Sequence, residues 1–210
     1  MKTRILLSLL LAFAGLIFGS EVRGETAAQV LAKAAGKAKS AKGIEASYSM
    51  RSAGRSITGS LKSAGSKFYV KAGSMESWYN GKELYSYNPS TKETTVVNPT
   101  PSEIAEINPL LYLSSYNQYF EPVYSKNTQS GKFIIDLKIK SKKTPVKPVK
   151  KITVFLNSKT YQPEKFLITS LDGNVVTLTI SKISYAANFG SSVFEYPNSR
   201  FPKATIVDLR

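Results

Sequence analysis

The side chains that most often perform acid–base and nucleophilic chemistry are absent from this sequence. It contains no histidine and no cysteine, which removes the commonest general base, the thiolate nucleophile and most zinc ligand sets. A carboxylate pair could still form a hydrolase site, but the candidates are predicted to lie beside turns or strand ends in polar surroundings. These candidates are Glu76, Glu83, Glu93 and Glu103. The sequence therefore predicts no catalytic residue, no metal and no cofactor, and favours a protein that is not an enzyme.

Apolar and aromatic side chains at alternate strand positions are the other residues with a possible function. When such residues share one face of a sheet, they form either an ordinary core or the lining of a pocket for an apolar ligand. Alternation reports only which face is buried, so both alternatives stay open. The predicted lining comprises Tyr48, Met50, Ile57, Leu61, Phe68, Val70, Met75, Trp78, Leu84, Tyr85 and Tyr87.

Two periodicities position these residues. Residues 25–42 are rich in alanine and lysine with apolar residues at helical spacing, which predicts an N-terminal helix. We expect Gly43 to end this helix in a conformation of positive φ. Beyond Gly43, apolar and polar residues alternate, which predicts β-strands. The pair Asn80-Gly81 is typical of a tight hairpin turn.

One helical segment interrupts the strands. Apolar residues recur at helical spacing within residues 102–113, and Pro109 breaks the pattern. We expect two short helices here that form a lid over the sheet, before the β pattern returns from residue 119 to residue 186. The predicted lid residues are Ile104, Ile107, Leu110 and Leu111.

These elements predict an α+β, mostly β fold with a single antiparallel sheet. About ten strands are joined by short turns rather than by crossover helices. A sheet of that width usually curls. If it curls around the helices, it becomes a half-open β-barrel with an apolar inner face, which is a common container for hydrophobic ligands.

The first 24 residues differ in character from the rest. Lys2 and Arg4 precede an apolar run over residues 5–18 and then small or polar residues, which is the layout of a secretory signal peptide. The run is shorter than the about 20 residues of a membrane-spanning helix, so a retained anchor is the weaker alternative. We expect residues 1–24 to be a signal peptide that is cleaved near residues 20–25, and residues 25–210 to form one domain.

The chain is basic. Its net charge is +15, and removal of residues 1–24 would remove three basic residues and one acidic residue, leaving +13. This balance favours nucleic acid, an anionic membrane or an acidic protein as partner, and export makes nucleic acid the poorest candidate. We expect a monomer that does not span the membrane after cleavage. The lysine-rich residues 141–151 could dock on an acidic partner or anionic lipid, or form a solvated loop.

Three segments carry a resemblance. The first is Trp78-Tyr79-Asn80-Gly81-Lys82-x-Leu84-x-x-Tyr87-Asn88-Pro89, within residues 57–99; the others are Asn108-Pro109-Leu110-Leu111 and residues 194–210. In order, they resemble the central hairpins, the mid-chain helix and the C-terminal strand and tail of the outer-membrane lipoprotein carrier family, the LolA-like proteins. Where the best-studied relatives place Lys-Arg-Pro, this chain has Ser63-Ala64-Gly65-Ser66. The family's arginine, which is associated with hand-off of cargo, is therefore absent here.

The resemblance implies a function as well as a fold. It implies a periplasmic chaperone whose helix-covered half-barrel binds lipoprotein acyl chains and shuttles lipoproteins from an inner-membrane exporter toward an outer-membrane acceptor. Two alternatives from other classes remain. One is a regulatory module of the same fold that senses lipid or lipoprotein in the cell envelope. The other is a structural envelope protein that binds no ligand.

Overall fold

The computed structural model describes residues 24–108, 110–140 and 149–210, which contain three α-helices, two short 3₁₀ turns and twelve strands. The helices are α1 (Ala27–Ser40), α2 (Pro101–Ile107) and α3 (Leu111–Tyr119). The strands are β1 (Ile44–Ser52), β2 (Arg55–Ala64), β3 (Lys67–Ala72), β4 (Met75–Tyr79), β5 (Leu84–Asn88), β6 (Glu93–Val97), β7 (Phe120–Tyr124), β8 (Lys132–Ile139), β9 (Val149–Asn157), β10 (Pro163–Ser170), β11 (Val175–Ser184) and β12 (Thr205–Asp208).

All described strands belong to one sheet, in the order β12-β6-β5-β4-β3-β2-β1-β11-β10-β9-β8-β7. The sheet is curved, and its two edge strands, β12 and β7, do not pair with each other. The barrel is therefore not closed. The predicted half-open barrel of mostly β class is confirmed. The prediction of a wholly antiparallel sheet fails at one position, since β12 pairs with β6 in parallel.

Helix α1 begins with a capping box and packs against the concave face of the sheet. The Thr26 hydroxyl accepts a hydrogen bond from the Gln29 amide, and the Gln29 side chain accepts one from the Thr26 amide at 2.8 Å. These bonds satisfy amides that a helix start otherwise leaves unpaired. Val30, Leu31 and Ala34 are fully buried on the sheet side. The predicted helix is confirmed, two residues shorter at each end.

Gly43 has a different role from the predicted one. Helix α1 ends at Ser40 with an extended cap at Ala41, and Gly43 does not adopt positive φ. A Cβ at position 43 would lie 2.7 Å from the carbonyl oxygen of Ala187. The glycine is needed because the C-terminal part of the chain passes very close to the backbone here.

Two short helices replace strand structure between β6 and β7, as predicted. Helix α2 starts at a second capping box, in which the Glu103 carboxylate accepts from the Thr100 amide at 2.7 Å. Helix α3 continues to Tyr119, beyond the predicted end at residue 113. Pro109 lies outside the described residues. Among the helices of the described ranges, none is long and apolar enough to cross a bilayer.

Candidate ligand-binding site

The concave face of the sheet is organised by the pairing of β1, β2 and β3. Tyr48 lies opposite Gly59, Ala46 lies opposite Leu61, and Leu61 lies opposite Val70. Because directly paired residues project to the same face, these side chains form one apolar surface. Leu61 and Val70 are buried on it.

An apolar cavity lies between this surface and the connection from α2 to α3. We call it the inner chamber. It is lined by Ala46, Tyr48, Leu61, Val70, Ile107, Leu110, Leu178 and Ile180. Its volume is about 20 Å³, which is close to the space that one water molecule needs. The inner chamber is therefore nearly closed in this conformation.

A larger opening lies beside the inner chamber, between the end of α1, the turn from β2 to β3 and the same helical connection. We call it the outer opening. Its volume is about 240 Å³, and its lining is Ala38, Lys39, Ala41, Ile44, Ser63, Gly65, Asn108 and Leu110. Leu110 lines both spaces and is 8% exposed. Its side chain therefore forms part of the wall between them.

A buried asparagine holds this wall. The Asn108 side chain accepts a hydrogen bond from the Leu110 amide at 3.2 Å, and the Asn108 amide donates to the Ile104 carbonyl at 2.9 Å. Asn108 is 1% exposed. Because a buried asparagine side chain needs hydrogen-bond partners, its bond to the Leu110 amide holds the turn that positions Leu110. No role for Asn108 was predicted, and only its place beside Pro109 signalled a helix end.

Tyr48 is one of the residues that line the inner chamber. Its hydroxyl donates to the Lys71 carbonyl at 3.0 Å, and burial raises the pKa of this hydroxyl above its ordinary value. A Cβ at position 59 would lie 2.4 Å from Cζ of Tyr48. Gly59 therefore leaves the space that the tyrosine ring occupies.

The structure brings some of the predicted lining together. Tyr48, Leu61 and Val70 line the inner chamber with Ile107 and Leu110 of the predicted lid. Other predicted residues lie elsewhere on the concave side. Phe68 and Leu84 are buried in the core and Ile104 packs against it, whereas Met50, Ile57 and Met75 lie near the far ends of their strands. The side chain of Leu111 lies outside the described part of the chain.

The predicted placement of Trp78, Tyr85 and Tyr87 was wrong. In β4 the neighbouring Tyr79 packs on Phe68 in the core, with ring centroids 5.2 Å apart, so Trp78 projects to the convex face. Tyr85 pairs with Trp78 and shares that face. Tyr87 also lies there. The three rings do not belong to the inner chamber.

A segment that we call the C-terminal strap, residues 187–204, covers these three rings. The ring centroid of Trp78 lies 5.5 Å from that of Tyr196 and 5.8 Å from that of Phe201. Tyr85 stacks on Tyr196, and the Tyr87 centroid lies 4.0 Å from that of Phe201. The convex face thus has its own aromatic cluster. Alternation in β4 could not assign the faces because Trp78 and Tyr79 are both large and aromatic.

Sequence reasoning missed Ala46, Leu178 and Ile180 as chamber residues. Leu178 and Ile180 alternate in β11, but this strand reaches the site only because it pairs with β1, far away in sequence. Their apolar alternation was a signal of burial. Nothing in the local pattern indicated that β11 pairs with β1.

The predicted carboxylates are not gathered at one site. Glu83 accepts hydrogen bonds from Tyr85 and Arg210, which lower the pKa of its carboxyl, and capping contacts with Thr100 lower the pKa of Glu103. Glu93 is exposed. Within residues 24–108, 110–140 and 149–210, no three histidine, cysteine or acidic side chains are grouped so that they could hold a metal ion.

Most of the chain matches a known protein family. The sequence pattern of the family described as outer membrane lipoprotein carrier protein LolA matches residues 18–172. The chain belongs to this LolA family. A comparison of the sequence with curated proteins found no match.

Several solved structures are similar to this chain at low sequence identity. An uncharacterized conserved protein from Thermus thermophilus is 11% identical over 87% of this chain and 98% of that chain, with a TM-score of 0.57. A DUF1329 family protein from Desulfovibrio piger is 10% identical over 85% and 100%, with a TM-score of 0.50. A LolA superfamily protein from Nitrosomonas europaea is 13% identical over 82% and 99%, with a TM-score of 0.47.

The departure of this LolA-family chain from its best-studied relatives lies at the outer opening. Ser63 and Gly65, which belong to the segment that replaces Lys-Arg-Pro, are part of the lining of that opening. The outer opening therefore carries small side chains at these positions. Two other sequence features lie outside the described residues. These are the predicted signal peptide, of which residues 1–23 are not described, and residues 141–148 of the lysine-rich run.

Proposed function

We propose that this chain is a non-enzymatic carrier in the periplasm of a bacterium with two membranes. It binds the acyl chains of lipoproteins on the concave face and moves them from an inner-membrane exporter toward an outer-membrane acceptor. Membership of the LolA family supports this proposal. The observation that carries it is the apolar inner chamber, which Leu110 separates from the larger outer opening.

The proposal includes export and release. Residues 1–24 act as the signal peptide, and the chain has no cysteine to which a lipid anchor could be attached. In this proposal the mature protein leaves the inner membrane after cleavage and acts as a monomer. Its cargo, rather than the protein itself, supplies the acyl chains.

Binding requires the lid to move, because a chamber of about 20 Å³ is far below the roughly 300–1,000 Å³ of ordinary ligand pockets. If the Leu110 side chain swings aside, the inner chamber and the outer opening become one space. Exposing a leucine costs about 1.5–3 kcal/mol, and each buried methylene of the cargo contributes about 0.8 kcal/mol. Burial of roughly four methylene groups therefore offsets the displacement of Leu110.

Release follows from the same equilibrium. A cargo that binds only the displaced state shifts the population toward that state by no more than its difference in affinity for the two states. An acceptor that binds acyl chains more tightly then removes the cargo, and Leu110 returns. This transfer needs no covalent step, in keeping with a chain that has neither histidine nor cysteine.

Native mass spectrometry with lipid extraction tests the proposal. The protein is purified from an envelope fraction after export, without detergent. Lipoprotein or acyl lipid bound at near one-to-one stoichiometry supports a carrier. A mass without ligand, together with failure to bind an added acylated peptide, overturns it.

One observation favours a second candidate. The inner chamber is almost filled in this conformation, as expected of a structural envelope protein that binds no ligand. The acylated-peptide measurement separates a carrier from a structural protein. A structural protein leaves the peptide unbound at every concentration below the solubility limit of the peptide.

A further inference from the structure

Exposed apolar side chains are concentrated at one end of the sheet. The described residues contain seven large apolar side chains classed as exposed, and four of these lie in or beside three hairpin turns. The four are Ile57, at 36% exposed, Met75 at 39%, Leu171 at 66% and Val175 at 45%. Such a concentration is informative because single exposed apolar residues are normally scattered.

Strand pairing places the three turns side by side. The turns join β1 to β2, β3 to β4 and β10 to β11, and these strands are consecutive in the sheet in the order β4-β3-β2-β1-β11-β10. Arg51 lies opposite Thr177, so the first turn is next to the third. A Cβ on Gly73 would lie 3.9 Å from Cγ2 of Ile57, so the first turn also meets the second.

We call this continuous edge the hairpin rim and define it as residues 51–57, 71–75 and 171–177. Neighbouring strands are about 4.8 Å apart, so adjacent turns are separated by only about two strand spacings. The four exposed apolar side chains therefore lie at the same end of the sheet, with Ile57 and Met75 on the concave side and Val175 on the convex side.

The hairpin rim is also cationic. Arg51, Arg55 and Lys71 are exposed, and none of them forms an ion pair with another described residue. The single acidic residue of the rim is Asp172, whose carboxylate accepts hydrogen bonds from the amide and side chain of Asn174. The rim thus presents free positive charge between apolar turns.

We propose that the hairpin rim is the surface with which this protein rests on an anionic phospholipid bilayer. The apolar side chains enter the boundary between headgroups and acyl chains, and the cations meet the anionic headgroups. An acidic protein partner would account for the cations of the rim but not for its exposed apolar side chains. Protein interfaces, however, place tryptophan, tyrosine and arginine in a desolvated centre, whereas the rim carries aliphatic and thioether side chains on separate turns.

The rim adjoins the concave face, but its binding to a bilayer does not require cargo. Ile57 and Met75 belong to strands of the same wall as Leu61 and Val70, which line the inner chamber. A bilayer at the rim would therefore lie at one end of that wall. The inference goes beyond the carrier function, and each can fail without the other.

The absence of cysteine allows a direct test. Leu171→Cys carries an environment-sensitive dye at the rim, and Leu209→Cys carries it at an exposed apolar position just after β12, toward the opposite end of the sheet. Vesicles of phosphatidylcholine with phosphatidylglycerol are expected to shift the emission of the dye at 171 to the blue and to leave that at 209 unchanged. No shift at 171, or equal shifts at both positions, overturns the proposal.

Charge variants test the electrostatic part by vesicle co-sedimentation. Each cation near an anionic surface contributes about 1 kcal/mol, so Arg51→Gln with Arg55→Gln is expected to weaken binding roughly fivefold per residue. Lys42→Gln with Lys159→Gln removes two exposed charges at the opposite end of the sheet and is the matched control. If the control variant binds vesicles equally weakly, the effect is one of net charge only, and the rim proposal is overturned.

Acylated-peptide binding in solution separates the two proposals. The charge variant of the rim is expected to bind the peptide as the unchanged protein does, because neither arginine lines the chamber or the opening. If the unchanged protein binds the peptide but not the vesicles, the rim proposal alone fails. If it binds the vesicles but not the peptide, the carrier proposal alone fails.

Discussion

Arg200 of the C-terminal strap and Glu76 of β4 form a two-pronged ion pair on the convex face. Two guanidinium nitrogens donate to the two carboxylate oxygens at 2.9 and 2.6 Å. The Tyr69 hydroxyl donates to the same carboxylate at 2.7 Å. Glu76 is only 5% exposed, and a buried carboxylate is tolerated when its oxygens are paired in this way. The pair therefore fastens the strap over the aromatic cluster.

Removal of the guanidinium is expected to loosen the strap. Arg200→Ala leaves Glu76 buried with one remaining donor, which should lower the free energy of unfolding by about 1–2 kcal/mol, since Arg200 itself is partly exposed. Urea unfolding measures this change. Arg200→Lys should recover part of the loss because a lysine keeps the charge without the fork. Arg55→Ala, at an exposed and unpaired position, is the control, and an equal loss there would refute a specific role for the pair.

Two glycines should respond to alanine in opposite directions. Gly59→Ala places a methyl group 2.3 Å from the Lys71 carbonyl oxygen, and such overpacking should cost about 1–3 kcal/mol. Gly36→Ala meets no atom within 4 Å and lies inside α1, so it should stabilise the protein by about 1 kcal/mol. Thermal unfolding of both variants measures the signs. A stabilising effect at position 59 would show that Tyr48 does not need the space.

Stability should fall in acid. Lys132 lowers the pKa of Glu164, and Arg210 lowers the pKa of Asp208 to about 2. A carboxyl whose pKa is lower in the folded state contributes stability above its unfolded value and loses it as pH falls through the folded value. We therefore expect the free energy of unfolding to decline from about pH 4.5 toward pH 2. Urea unfolding at stepwise pH measures it, and Arg210→Ala should flatten the lower part of the curve.

The sequence predicted the elements whose signals are local. Apolar spacing within residues 25–42 and 102–113 predicted the helices, whose starts the structure shows to be capping boxes at Thr26 and Thr100. The turn at Asn80-Gly81 marks a hairpin in the same way, because its geometry depends on its own residues. Short turns between successive strands then led to the correct class of sheet.

Features that depend on distant contacts could not be predicted in this way. Strand β12 pairs in parallel with β6 only after the C-terminal strap has crossed the convex face. The same crossing covers Trp78 on the convex face with Tyr196 and Phe201 of the strap. The inner chamber likewise needs the pairing of β1 with β11. In each case the local pattern shows that a residue is buried, whereas the partner that buries it comes from elsewhere in the chain.

The last test concerns Leu110 in the wall between the inner chamber and the outer opening. A smaller side chain at this position should lower the stability of the protein but strengthen cargo binding. Leu110→Ala removes a buried side chain and should cost about 2–5 kcal/mol of stability. It also opens the inner chamber to the outer opening, so an acylated peptide labelled with a fluorophore should bind faster and more tightly. Leu110→Lys should instead weaken binding, since a charge then lies against the acyl chain.

Leu156→Ala is the matched control for this wall. Leu156 is fully buried in β9 and does not line the inner chamber or the outer opening, so its truncation should cost similar stability and leave the peptide association rate unchanged. Stopped-flow fluorescence measures that rate at a temperature where all variants are folded. If the rate rises equally in both alanine variants, general loosening of the core explains it. A rise confined to Leu110→Ala would mean that this side chain controls access to the concave face.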